Sequence, residues 1–169
     1  PLGDAQAVRN YIAKLDDVPR YFDEQVANMR AGLARGFSVP RAVLDGRDVS
    51  IASYAEVKSP EDSEFYAPLK ILPSTIPAEQ QAALRKDAVR AIREHVIPAY
   101  AKLLAFFRKD YVPHARDTLA AEALPDGKAY YLQQIREYTT LDLDPEAIHA
   151  IGLKEVERID ADMQATMKA

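Results

Sequence analysis

The stretch from Pro77 to Tyr111 constrains this chain more than any other. Its apolar side chains, Leu84, Ala88, Ile92, Val96, Tyr100, Leu103, Phe107 and Tyr111, step by three or four and share one stripe of a 3.6-residue period. Such a face must be buried, because hydrophobic burial is the main term set against the entropy of ordering the chain. Unbroken, the segment runs about 50 Å, longer than a domain of this size is wide. It therefore predicts a rod with other helices laid along it. Pro98 has no N–H for the carbonyl of Glu94 and crowds that turn, which predicts a kink with the stripe continuing in phase.

The remaining periodicity is also helical. Val8, Tyr11 or Ile12, Leu15, Phe22, Val26, Met29 and Leu33 form one seam, and Pro19 within it predicts two helices, about 4–16 and 18–35, with Gly36 as the left-handed cap. Ser38 and Pro40 open a third helix through Val43, Leu44, Ile51 and Tyr54, weakened by Gly46. From Ser59 to Pro77, Pro60, Pro68, Pro73 and Pro77 exclude regular helix and central strand. A long ordered connection follows, with a short helical turn at 64–70 and Phe65, Tyr66, Leu69 and Ile71 as a packing brace. Pro113 predicts a break, and residues 115–123 a short continuation. Pro125, Asp126 and Gly127 make a turn into a helix at 128–138. Asp144 caps a last helix entered through Pro145, whose buried face is Ile148, Ile151, Val156, Ile159, Met163 and Met167. The expected architecture is all-α, an irregular bundle around one long kinked helix with a proline-rich connection, as a single helical piece over 1–169.

Bulk properties exclude several functions. A net charge of -4 argues against a nucleic-acid binder, and the basic residues of the rod are interleaved with Asp87, Glu94 and Asp110. There is no cysteine, so disulfides and thiolate metal sites are absent. No apolar run reaches the roughly 18 residues of a membrane span. The opening Pro1-Leu2-Gly3 and the uncapped close at Met167 and Ala169 predict a piece of a longer protein.

Local motifs for chemistry are missing. His95, His114 and His149 lie 19 and 35 residues apart, far from the i, i+4 spacing that puts two metal ligands on one helical face. Carboxylate pairs such as Asp23-Glu24 and Glu61-Asp62 read as solvated charge. No nucleophile elbow, phosphate-cradling glycine loop or calcium loop occurs.

The turn and helix ALPDGKAYYLQQIREYTT, followed by LDLDPEAIHAIGLKEVERI, resemble the bacterial family called domain of unknown function 885. VANMRAGLARGFSVPRAVL and VIPAYAKLLAFFRKDYVPHAR agree, and the resemblance covers essentially the whole chain. It implies a large helical protein similar to zinc-dependent peptidases, some of them exported or periplasmic. The family's metal motif resembles His-Glu-x-x-Pro-Gly-His and has no match here, so no zinc ligand or catalytic residue is assigned, and zinc belongs to the full-length protein alone. On this reading the chain is scaffold, with the remainder of the parent protein as its partner and a peptide as the substrate of the whole. The candidates to touch a substrate cleft are Asp126, Tyr130, Tyr131 and Arg136, because this stretch joins the sharpest resemblance to polar groups that a core helix does not need; the competing reading of the same stretch is a helix-turn-helix brace. The alternative is a non-enzymatic interaction module, in which Met163 and Met167 face a partner or dimerise through the last helix.

Overall fold

The structure, a computed structural model, describes residues 2–168. It is all-α, with no strand among the described residues. It forms two compact units, Pro1–Thr118 and Leu119–Ala169.

The first unit is built on the rod. Helices α3 (Ala78–Ala91), α4 (Ile97–Phe106) and α5 (Val112–His114) run on continuously through two π-helical turns, Ile92–Val96 and Phe107–Tyr111. The amide of Ile97 donates to the carbonyl of Ile92, and that of Val112 to the carbonyl of Phe107. Each donor is followed at once by a proline. In an α-turn the Pro98 ring would press on the carbonyl four residues back, whereas the wider turn moves that carbonyl aside. The same pattern occurs twice in the sequence, IREHVIP at 92–98 and FRKDYVP at 107–113. Where one kink was expected there are two widened turns. Pro113 lies inside the final turn, and the chain becomes extended only at Ala115. The helix expected at 115–123 reduces to a 3-10 turn at Ala121–Ala123.

Along the rod lies α1 (Ala5–Ala34), begun by the Asp4 carboxylate accepting from the Ala7 amide at 2.7 Å. It is one helix, not the expected pair, with Pro19 inside it. The apolar seam stays in phase across the proline, from Val8, Ile12 and Leu15 to Val26, Met29 and Leu33, and both halves pack on the rod. Burying that many side chains, at about 1.5–3 kcal/mol each, outweighs the roughly 3 kcal/mol of an interior proline. At the other end Gly36, at φ 78°, closes the helix as expected: Phe37 donates to the Gly32 carbonyl and Gly36 to that of Leu33.

The third predicted helix is split. Gly46, at φ 69°, separates a 3-10 turn at Arg41–Val43 from α2 (Asp48–Ala55). The proline-rich connection is a brace, with Leu69, Leu72 and Ile76 buried among Val8, Ile12, Leu84 and Ile92. Its carbonyls are collected by side chains: Tyr11 donates to Phe65, Arg85 to Leu69 and Gln81 to Pro73 and Ile76. Ile71, expected in this brace, is 90% exposed, because the 3-10 turn at Ala67–Leu69 directs Leu72 inward instead. Four rings then tie α1, α2, the connection and α4 together. Tyr100 meets Phe22 edge-on at 4.8 Å, Tyr54 at 4.8 Å and Phe65 at 5.9 Å.

The second unit holds α6 (Gly127–Thr139) and α7 (Pro145–Lys168). Asp144 caps α7 as expected, accepting from Ala147 at 2.7 Å. Among its described residues only Gly127 and Ile135 are buried. The buried face expected of α7 is a correction: Ile151, Val156, Ile159, Met163 and Met167 are all exposed. The periodicity is real, but the second unit does not bury it.

Candidate functional site

The stretch expected to reach a substrate begins at a demanding corner. Asp126 sits in the left-handed region at φ 55°, its backbone carbonyl accepting from Tyr130, while its carboxylate makes no cap bond. Gly127 is fixed by contact: a Cβ there would lie 2.2 Å from the Ala121 carbonyl oxygen and 2.8 Å from Glu122. The Asp-Gly pair thus positions α6 against the 3-10 turn before it.

From that corner the candidate side chains diverge. Tyr130 and Tyr131 are both exposed, about 100° apart around the helix. Tyr131 lines an open concavity of about 300 Å³ with Ala120, Ala121, Glu122, Pro145 and Glu146. Arg136 points about 140° away from Tyr131 and is held by Asp142 at 2.9 Å. The four residues therefore do not converge on one centre, and Tyr131 is the one in a concave site. Helix α6 ends at a second left-handed residue, Thr140, at φ 60°. The Thr139 hydroxyl supports that end by donating to the Ile135 carbonyl and accepting from the Leu141 amide.

A second cleft, of about 260 Å³, lies in the first unit where α1 passes the first π-helical turn. Pro19, Phe22, Val26, Pro98, Ala99 and Leu103 form its apolar lining, with Asp23, Glu94, His95 and Lys102 among the polar residues. Its charges are engaged, Lys102 with Asp23 inside it and Glu94 and His95 with residues outside its lining. Lys102 meets Asp23 at 2.5 Å, and Asp16 lies 3.4 Å from Arg90 and 3.6 Å from His95. The sequence reading missed this cleft, although the repeated arginine-to-proline pattern of the two π-helical turns was a signal available to it.

Zinc, implied by the family resemblance, does not fit these residues. His95 faces Asp16, His114 bonds the Asp110 carbonyl at 2.7 Å, and His149 stands exposed on α7. Among the described residues no group of three or more His, Cys, Asp or Glu could hold a metal ion. No helix is long and apolar enough to cross a membrane among those residues. Two tyrosines do depart from ordinary ionisation: burial pushes the Tyr100 hydroxyl up, with Tyr54 adding to the effect, and burial alone raises Tyr11.

A helical unit with a braced core is thus joined in sequence to a second unit whose long helix α7 buries none of its residues. The family described as bacterial protein of unknown function (DUF885) matches residues 1–169, and the chain belongs to it. No curated protein matches. Among solved structures, a candidate lipoprotein from Colwellia psychrerythraea is similar, with a TM-score of 0.76 and 22% identity over 96% of this chain. At that identity the likeness concerns the fold. The match spans 28% of that protein's chain.

Proposed function

We propose that this chain is the helical scaffold segment of a zinc-dependent peptidase-like hydrolase, forming part of a cleft wall while the metal motif lies outside these residues. The observation that carries the reading is the imbalance of the two units. The first has a braced core, whereas the second presents α7 with no buried residue along 24 positions. The span of only 28% of a similar solved chain supports it. Within that reading Tyr131, in the concavity beside Pro145 and Glu146, is the cleft candidate best placed to meet a peptide, with Tyr130 beside it. Asp126 serves the backbone turn and Arg136 the pair with Asp142.

The test is to equilibrate the 169-residue chain with zinc and measure bound metal by mass spectrometry, together with cleavage of a fluorogenic peptide library. Neither stoichiometric zinc nor cleavage is expected. One zinc per chain with peptide turnover by the chain alone would overturn the reading. A second reading, the non-enzymatic interaction module, has the exposure of Met163 and Met167 in its favour. It requires that the full-length protein also hydrolyse no peptide.

A further inference from the structure

Helix α7 carries a stripe whose spacing and edges describe what covers it. Ile148 recurs as Ile159, and Val156 as Met167, each eleven residues on, with Met163 between. Eleven residues make almost a whole number of helical turns, so the stripe runs nearly straight along the helix and does not wind as a seven-residue repeat does. At about 100° per residue these side chains fall within an arc of roughly 100°. Ile159 is 47% exposed and Met167 68%.

The edges of the stripe are acidic on both sides. Asp160 borders one edge, with Leu153 beyond it, and Glu155 and Asp162 the other, with Ile151 beyond them. Arg158 sits further round and is drawn to both carboxylates of that second edge, at 2.9 Å from Glu155 and 2.8 Å from Asp162. A second copy laid on this stripe would bring acidic edge against acidic edge in either orientation, which disfavours self-pairing. A helix edged with lysine or arginine meets complementary charge on both sides. The methionines near the end supply unbranched, adaptable side chains for such a contact.

We infer that the α7 stripe is the docking seam for one amphipathic helix edged with basic residues, supplied by the part of a longer family protein outside these 169 residues. This rests on the scaffold reading above. The source follows from length: nearly three quarters of the similar Colwellia chain lies outside the matched part.

The experiment titrates the 169-residue chain with two synthetic 24-residue helical peptides that share a straight leucine stripe, one edged with lysine and the other with glutamate. Binding is read by fluorescence anisotropy at physiological salt. The lysine-edged peptide is expected to bind at least tenfold tighter, and Ile159→Glu to lower its affinity at least tenfold with the thermal midpoint of the chain unchanged. In the full-length protein, amides of 148–167 are expected to exchange at least a hundredfold more slowly than in this chain. Equal affinities, no binding, equal exchange rates, or a dimer dissociated by Ile159→Glu would each overturn the inference. None of these measurements reads zinc or hydrolysis, so their failure is separate from that of the proposed function.

Discussion

At the scale of single residues, the corner at Asp126 and Gly127 makes the sharpest demand. A Cβ at Gly127 cannot coexist with the Ala121 carbonyl at 2.2 Å, and the obstacle is backbone, which does not rotate away. Gly127→Ala is expected to cost at least about 2 kcal/mol and to loosen α6 from its first turn. Amide exchange over 127–139 checks this, since protection there should fall while that of 78–114 is retained. Thr140 presents the reverse case, a β-branched residue held at φ 60° in the open. Thr140→Asn relieves the clash of the left-handed conformation and is expected to stabilise α6 by about 0.5–1 kcal/mol, seen as slower exchange at the end of that helix. Tyr100 gives a pH dependence. Its folded value is raised above the ordinary 10.0, so above pH 10 the unfolded chain releases a proton that the folded chain retains. The contribution is complete below pH 10 and is lost as pH climbs through the raised value. Denaturant midpoints are thus expected to fall on the alkaline side, and Tyr100→Phe to flatten that fall.

At the scale of elements, the rod shows what a one-dimensional pattern reveals and what it conceals. Leu84, Ala88, Ile92, Val96, Phe107 and Tyr111 are all buried, as their spacing required, and the brace role of Leu69 follows from an apolar residue among prolines. Pro19 was misjudged because a local preference of about 3 kcal/mol was weighed without the burial on either side of it. Ile71 was misjudged because the phase of an irregular connection is set by its turns and not by composition. The concavity at Tyr131 and the cleft beside Pro98 depend on which helices meet, and no periodicity specifies that. The π-helical turns admit a direct test. A π-turn amounts to one extra residue in an α-helix, so deleting exposed Glu94 should restore α-geometry and set Pro98 against the turn before it. The deletion alone is expected to cost about 3 kcal/mol or more, and Pro98→Ala in the deleted chain to recover most of that. A deletion equally harmful with either residue at position 98, by urea denaturation, would mean that the widened turn exists for another reason.

At the scale of the whole molecule, the two units differ in what can hold them folded. Among the described residues, every buried hydrophobic side chain but Ile135 belongs to the first unit, where two clusters share α1 and the rod. The second unit exposes Tyr138, Leu141, Val156 and Met163 and has too little core to oppose its own ordering entropy, at about 1–2 kcal/mol of backbone entropy per residue. Cooperative unfolding of the chain should therefore be the unfolding of the first unit. Residues 1–118 alone are expected to melt within about 5 °C of the full chain, the shift that roughly 1 kcal/mol produces in a domain of this size. In the full chain the amides of 145–168 should exchange close to their unprotected rates, because α7 opens without breaking a buried core. Calorimetry on both lengths, with exchange on the longer, decides the matter. A truncated chain that fails to fold, or a second unit as protected as the rod, would show that the open face of α7 contributes to stability in this chain as well as awaiting a partner.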